Sequence, residues 1–514
     1  MDGYSTQSTH SPNIGPAMRT ALLTLLLVPV GAAAQEASPY LPLSHWSVPF
    51  IEHLITEGRI VDPTPLTRPF RTDQLLRALE AVDSSVVTGA EWGVVKQIRS
   101  DLTRQERGPS ARLDVHAGTS ASSHARRDPL REAGVGHATF AGGAALTLYL
   151  GPVVFVSHPY FDTRLKYDPD WYGKKDRVVA GRFAEAYLSA QFTYADLFFG
   201  SLDRNWGPSA VPGLLLSESP YGPDHLAITI GTTGVKLEAI AFQMNDLTDT
   251  AGATVHRYMV QHRLWIRPPG RWTLALWEGS VLSGVARELE PWYLNVAKLG
   301  FLSQLNTRTN VNSFFGFDVQ RSGKVTLFAQ GMLDDIQVDK KTAADRKPAS
   351  YGLTVGAQGP VLHSAAAWTL FYTRVSNLTY RNEDNSQTPI YFGLGTGRNF
   401  SDYDQTSLKL SFMPSSSVLV QPELTFLRQG EGDLHLPHPP VSAYPSTPAF
   451  LAGIVERTLR LGAGLHAAHG RWMVSADGGV HLISNAGHVP GVSKARWVGS
   501  IQLSWRTKKE GRIP

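Results

Sequence analysis

Between about residues 112 and 506 the chain is a succession of short stretches in which apolar and polar residues alternate, with almost no run at helical spacing. Trp472, Val474, Ala476, Gly478, Val480 and Leu482 alternate with Met473, Ser475, Asp477, Gly479 and His481. Leu408, Leu410 and Phe412 alternate with Lys409 and Ser411. Ala184, Ala186, Leu188, Ala190 and Phe192 alternate with Phe183, Glu185, Tyr187, Ser189 and Gln191. The last such stretch is Trp497, Gly499, Ile501, Leu503 and Trp505. A period of two places successive side chains on opposite faces of a strand. In hydrocarbon every backbone N–H and C=O needs an internal partner, so strands cross a bilayer only as a closed barrel, with one face to lipid and one to a polar lumen. At ordinary strand and turn lengths, residues 112–506 give roughly sixteen to twenty antiparallel strands, with an even number near eighteen expected. A soluble propeller would need a repeat of blade length, and none is visible.

The N-terminus reads as an export signal. Residues 1–17 look like an upstream extension. Met18 and Arg19 then open a signal peptide, residues 21–31 form its apolar stretch, and Ala32-Ala33-Ala34 its cleavage site before Gln35. That run is too short to span a bilayer as a helix. A mean hydropathy of −0.15 and the lack of another long apolar run count against a helical membrane protein. The net charge of +4 over 514 residues, without a dense basic block, excludes a nucleic-acid footprint. Cysteine is absent. The 12 Trp, 17 Tyr and 21 Phe are enough to build aromatic girdles at both membrane interfaces.

Residues 36–107 follow a different rule. Trp46, Phe50, Ile51, Leu54 and Ile55 share one helical face that Gly58 can end. Leu75, Leu76, Leu79 and Val82 form a second stripe, with Thr72 as its N-cap and Asp73 in the first turn. Trp92, Val95, Ile98 and Leu102 form a third. The expectation is a small periplasmic helical bundle packed on itself or on the barrel mouth, then the barrel, then a basic tail at 507–514. Residues 339–350, 379–406 and 430–450 are expected as long outer loops.

Asp203-Arg204-Asn205-Trp206-Gly207-Pro208 followed by Leu214-Leu215-Leu216-Ser217-Glu218 resembles the Wzi family of outer-membrane capsule assembly proteins, whose Trp-Gly-Pro segment is followed by a Leu-rich strand ending in Ser, so 214–216 are expected as a strand. Glu185-Ala186-Tyr187 before it agrees in order. So do Glu290-Pro291-Trp292-Tyr293-Leu294-Asn295, Asn312, Gly316-Phe317-Asp318 and Leu327-Phe328-Ala329-Gln330 running into Asp334-Asp335. The resemblance covers most of 40–506, with its clear motifs between 183 and 336. The spacer 209–213 departs from the pattern, carrying Pro212 and lacking a Gly just after Trp-Gly-Pro. The resemblance implies an eighteen-stranded lectin that keeps capsular or other extracellular polysaccharide on the cell, with no catalytic step and no cofactor. Its partners would be that polysaccharide, outer-membrane lipid and the barrel-assembly machinery, and the chain would be a monomer. The alternative is a carbohydrate-selective or general porin whose N-terminal segment docks on periplasmic cell wall.

Polysaccharide recognition needs aromatic faces for pyranose C–H groups, and amides, carboxylates or cations for the rest. Candidate contacts are Glu185, Tyr187, Asn205, Trp206, Arg257, Arg263, Asp318 and Asp335. Gly207, Pro208 and Ser217 shape the motif. Trp206 reads equally well as a girdle residue. Arg257 and Arg263 share a parity, and the bland reading is a lumenal charge network with Glu185, Asp318 or Asp335. Adjacent Asp334 and Asp335 point to opposite faces of a strand, so they do not make a proteolytic dyad. His435 and His438 lack a third ligand at metal-site spacing.

Overall fold

The structure, a computed structural model, describes residues 36–218, 221–300, 302, 311–335, 347–361 and 364–513. The export signal and residues 339–346 lie outside them. Three short helices come first: α1 (Val48–Thr56), α2 (Thr72–Glu80) and α3 (Gly89–Leu102). Eighteen barrel strands follow among the described residues. They are β1 (Ser110–Ser122), β2 (Ala138–Leu150), β3 (Val153–Asp162), β4 (Ala180–Gln191), β5 (Ala195–Ser201) and β6 (His225–Gly231). Next come β7 (Val235–Gln243), β8 (Thr254–Ile266), β9 (Trp272–Val285), β10 (Val311–Arg321), β11 (Thr326–Asp335) and β12 (Ser350–Pro360). The last six are β13 (Ala366–Val375), β14 (Tyr403–Ser415), β15 (Val418–Gln429), β16 (Glu456–His469), β17 (Trp472–Ser484) and β18 (Ser493–Arg512). Each pairs antiparallel with its sequence neighbours. β18 returns to β1, from Ser110 opposite Arg512 to Ser122 opposite Ser500, and this pairing closes the ring.

The period-two pattern is what closure uses. Leu408, Leu410 and Phe412 of β14, Val480 and Leu482 of β17, and Trp497, Ile501 and Leu503 of β18 all stand exposed on the outer wall. Each such side chain left in water forgoes about 1.5–3 kcal/mol of burial, so an apolar belt repeated around the wall belongs in lipid. The inward residues between them are buried and polar, as with Ser411 and His481.

Both chain ends of the barrel and all its short turns lie at one end, the end such barrels turn to the periplasm. The helices sit there. Phe50, Ile51 and Leu54 of α1, Leu75 and Leu79 of α2, and Val94, Val95 and Ile98 of α3 share one core with Met413 and Leu419, which flank the β14–β15 turn. Gly58, at φ +78°, takes the left-handed conformation that ends α1. The N-cap of α2 is Arg71 rather than Thr72, because the Arg71 backbone is extended while Thr72 has already entered the helix. At α3 the Thr88 side chain accepts from the Glu91 N–H, and the Glu91 carboxylate accepts from the Thr88 N–H. That reciprocal pair is a capping box.

Four further sequence expectations change. The basic segment after Arg506 is not a tail, since Thr507 to Arg512 continue β18 opposite β1, which itself starts at Ser110. Lacking lipid contact, this extension carries no apolar alternation. Phe183 does not share the inward face of Glu185. β4 shifts register where His158 faces Glu185 and Pro159 faces Phe183, leaving Ala184 as a bulge. Pro159 has no N–H for the ladder, and the extra residue turns Phe183 to the outside, 56% exposed. Residues 214–216 are irregular backbone, not a strand. Much of 379–402 does not form an outer loop but folds into the lumen, with Thr379, Tyr380, Arg398 and Asp402 buried.

Candidate functional site

Three layers of side chains fill the barrel along its axis. At the periplasmic end, the inward row of β4 holds the N-terminal segment. Gln191 donates to the Ser38 carbonyl at 2.7 Å and accepts from the Ser38 N–H at 2.8 Å. The Tyr187 hydroxyl accepts from the Tyr40 N–H at 2.9 Å. Glu185 lies 3.4 Å from His158. Arg68 pairs with Glu52 at 2.6 Å and Asp62 at 2.9 Å, and Arg71 pairs with Asp196 at 3.3 Å.

The middle layer is where material from the two ends meets. Thr67-Arg68, entering from below, forms an antiparallel bridge with Asn205-Trp206, which descends in the 202–224 connection. Asn205 Oδ1 accepts from the Gly213 N–H at 2.6 Å. The Gly207 N–H donates to the Leu66 carbonyl at 3.0 Å. Gly207 has φ +134°, and a Cβ there would sit 2.6 Å from the Gln330 amide, so glycine is required. The Pro208 carbonyl accepts from the Asn205 side chain at 3.4 Å. From the wall, Arg263 reaches in to Asp318 at 2.9 Å, the Leu66 carbonyl at 2.8 Å and Thr67 Oγ1 at 2.8 Å. Its guanidinium lies 5.1 Å from the Trp206 ring centre. Gln330 donates to Asp318 at 2.7 Å and to the Trp206 carbonyl at 2.9 Å, and accepts from the Leu214 N–H at 2.9 Å. Leu214 and Leu215 pack with Met259, Trp277, Phe314 and Met332 of the wall.

Above this seal the 376–402 connection folds inward. The Ser217 N–H donates to the Thr396 carbonyl at 2.9 Å, and its hydroxyl donates to the Gly397 carbonyl. The Tyr380 hydroxyl donates to the Leu214 carbonyl at 2.5 Å, and its N–H to Asp334 at 2.5 Å. Arg257 donates to the carbonyls of Ser386, Thr388 and Ile390 at 2.7, 2.5 and 3.1 Å. A small cavity of about 40 Å³, lined in part by Asp203, Arg204, Ser217, His225 and Tyr391, remains beside the seal. It has room for one or two waters and not for a pyranose.

Most of the residues singled out from sequence therefore face the lumen as expected, but in three separate places. Asn205, Trp206, Gly207, Arg263 and Asp318 meet. Glu185 and Tyr187 belong to the N-terminal clasp, and Arg257 to the loop above. Arg263 takes Asp318 and Glu238 as partners, not Glu185. Trp206 is only 2% exposed, so it is neither a girdle residue nor an open platform. The Asp335 side chain lies outside what the structure describes. His435 contacts Asp433 and the Gly393 carbonyl, while His438 packs near Tyr444. Among the described residues no His, Asp and Glu group is arranged to hold a metal.

Exposed aromatic faces occur elsewhere, at the long-loop end. Tyr172 and Phe392 stack with ring centres 4.1 Å apart and planes at 9°, and are 46% and 41% exposed. Tyr391 and Trp171 buttress them at 4.8 and 5.1 Å. Phe392 holds φ +46°, unusual for a bulky residue, with its N–H donated to Asn245 Oδ1 at 2.8 Å. The two-residue turn Phe392-Gly393 between the paired Tyr391 and Leu394, both turn residues at positive φ, sets that conformation and presents the Phe392 ring to solvent. The cluster Trp171-Tyr172 in a non-alternating stretch was the sequence signal for it.

No family model matches the chain, and no curated protein matches it. Among solved structures, it is similar to Wzi of Escherichia coli, an outer membrane protein involved in group 1 capsule assembly and described as a carbohydrate-binding β-barrel. The two share 12% identity and a TM-score of 0.60, over 93% of this chain and 100% of that one. The outer membrane protein opdK of Pseudomonas aeruginosa (13% identity, 78% of this chain and 99% of that one, TM-score 0.44) and a BenF-like porin of Pseudomonas fluorescens (9%, 79% and 99%, 0.44) are more distant. The class is thus a closed eighteen-stranded antiparallel barrel of the outer-membrane type. At 12% identity the likeness to Wzi is one of architecture, and it extends through the N-terminal segment.

Proposed function

We propose that this protein is a non-enzymatic outer-membrane barrel that holds extracellular polysaccharide on the cell surface through its long-loop end. The observation that carries the reading is the pairing of a lumen crossed by segments from both ends with an exposed aromatic stack, presented on a tight turn, at the outer mouth. A transport pore needs a wetted path, whereas the middle layer here is apolar core and polar side chains bonded across the lumen to the in-folded segments. The similarity to a barrel described as carbohydrate-binding supports the same reading. The residues chosen from the Trp-Gly-Pro region act as the seal, and sugar contact falls to Tyr172 and Phe392.

The test is capture of surface polysaccharide by the purified protein in detergent. Replacing both Tyr172 and Phe392 with alanine is expected to lower retention roughly tenfold, as loss of about 1.4 kcal/mol of stacking would do. Heat-modifiable gel mobility should remain that of a folded barrel. Unchanged retention in a folded double variant would refute the assignment of the outer stack.

A further inference from the structure

Arg126, Arg127, Arg131, Arg164 and Arg182 stand at the outer mouth on the β1–β4 side, and three of these are already engaged. Arg126 pairs with Asp170 at 3.1 Å, Arg131 with Asp128 at 3.4 Å, and Arg164 with Asp168 at 2.7 Å. Arg127 and Arg182 are different. Among the described residues neither forms an ion pair. Among the described residues the Arg182 side chain donates only to the Phe183 carbonyl, at a long 3.4 Å, and its buried Nε has no partner there. Both guanidiniums lie near one ring, Arg127 at 5.6 Å and Arg182 at 5.7 Å from the centre of Tyr221. Arg182 is also 5.5 Å from the Tyr160 ring.

Local structure explains why Arg182 is there at all. Strict alternation along β4 would send it outward with Ala184 and Ala186. The bulge at Ala184 instead leaves Arg182 and Glu185 both facing inward, with Phe183 in lipid. Tyr221 between the two cations is held rigidly, its hydroxyl donating to Asp168 at 2.7 Å and its ring 4.9 Å from Trp171. Trp171 in turn backs the exposed Tyr172–Phe392 stack. Burial and Asp224 raise the Tyr172 hydroxyl while Arg182 opposes them, so Arg182 is within electrostatic reach of that stack.

We propose that Arg127 and Arg182, set about the Tyr221 ring, form a subsite for the carboxylate of an acidic sugar, a uronate, in the polysaccharide held at the outer mouth. The inference rests on the polysaccharide reading and narrows it to acidic glycans. Arg182 is partly buried without a contacting carboxylate, which is costly unless an anion completes it, while the exposed Arg127 beside the same ring is free to join it, and a guanidinium fork matches a carboxylate in two hydrogen bonds. The aromatic stack alongside supplies a face for the pyranose ring. The carboxyl groups nearest the pair compensate them poorly. Asp203 is raised to about 7 by burial, opposed by Arg182 and Arg127 and reinforced by Glu218 and Glu185. It is therefore substantially protonated near neutral pH, and more so below it.

The experiment is titration of the full-length protein in detergent with sodium glucuronate, with glucose as the neutral control. Glucuronate is expected to bind more tightly than glucose and to weaken as salt rises. Arg127→Gln and Arg182→Gln should each weaken it roughly tenfold, the loss of one charge-assisted contact, with Arg182→Lys recovering part and glucose unaffected. Lowering the medium from about pH 8 to about pH 6 should tighten glucuronate binding as Asp203 loses its charge, and Asp203→Asn should remove that dependence. The proposal fails if glucuronate binds no better than glucose, if folded Arg127→Gln and Arg182→Gln variants bind it unchanged, or if inorganic phosphate displaces it at equal concentration. Should native polysaccharide still be captured through Tyr172 and Phe392 in that event, the tethering role stands and only the acidic subsite is lost. If that capture is lost as well, both readings fall.

Discussion

Replacing Arg263 with alanine is expected to cost the seal between the barrel wall and the in-folded segments about 3–5 kcal/mol, because it strands a buried charge. Both side chains of the Arg263–Asp318 pair are wholly shielded from solvent. Arg263 also satisfies the Leu66 carbonyl and Thr67 on the segment coming from the periplasmic side. Asp318 further accepts from Gln330, which in turn ties down Trp206 and Leu214. One deletion therefore unfastens both halves of the middle layer. The measurement is backbone hydrogen exchange in residues 62–68 and 205–214, which should accelerate by several orders of magnitude while the barrel strands stay protected. Arg263→Lys should restore only part, since an ammonium lacks the planar fork. Replacing both partners with apolar residues, Arg263→Met with Asp318→Leu, should cost far less than Arg263→Ala alone. Equal exchange in wild type and Arg263→Ala would refute the role given to this pair.

Asp101→Asn is the second large effect, and it acts on the helices. Asp101 of α3 meets Arg506 at 2.7 Å, Lys508 at 3.3 Å and the Trp46 indole N–H at 2.9 Å, with His45 at 3.6 Å. This one carboxylate thus joins two parts of the bundle to the end of β18. Its neutralisation should cost about 1–3 kcal/mol of docking, discounted because Arg506 and Lys508 are partly solvated. Burial alone would raise the Asp101 carboxyl, but the surrounding cations and the indole N–H outweigh it and hold it below the usual range. Burial keeps His45 mostly neutral, lowered to about 4, so Arg506 and Lys508 supply the attraction near pH 7. A depressed folded-state value means the contribution is complete above the unfolded carboxyl's value of about 3.9 and is lost as pH falls below it. Proteolytic release of residues 42–107 should rise in acid for the wild type. In Asp101→Asn it should be raised at neutral pH and respond less to acid.

Particular residues show what could be read beforehand. The outward rows Leu408-Leu410-Phe412 and Trp497-Ile501-Leu503 were legible because lipid on one side and polar lumen on the other force a period of two. The stripes of α1, α2 and α3 were legible for the matching reason at 3.6 residues per turn, and Thr88 with Glu91 three residues on carries the sequence signature of a capping box. The bulge at Ala184 was not legible, since its cause is Pro159 on the neighbouring strand. Nor did the 379–406 stretch reveal that it folds inward. Its Gly, Asn and Asp content is the same for a solvated loop as for one whose backbone groups pair inside a lumen. The Trp-Gly-Pro segment was conspicuous, yet its direction could not be read. A tryptophan suited to sugar stacking is equally suited to lie beneath Arg263, and only the bridge from Asn205-Trp206 to Thr67-Arg68 decides between them.

The architecture makes one demand above the others, that segments entering from both ends meet and close the lumen. Single-channel recording on the intact protein in planar bilayers tests it directly. A silent membrane for the wild type, with conductance appearing in Arg263→Ala, is the result the sealed barrel predicts. Steady ohmic conductance from the wild type, at the level of a general porin, would contradict it.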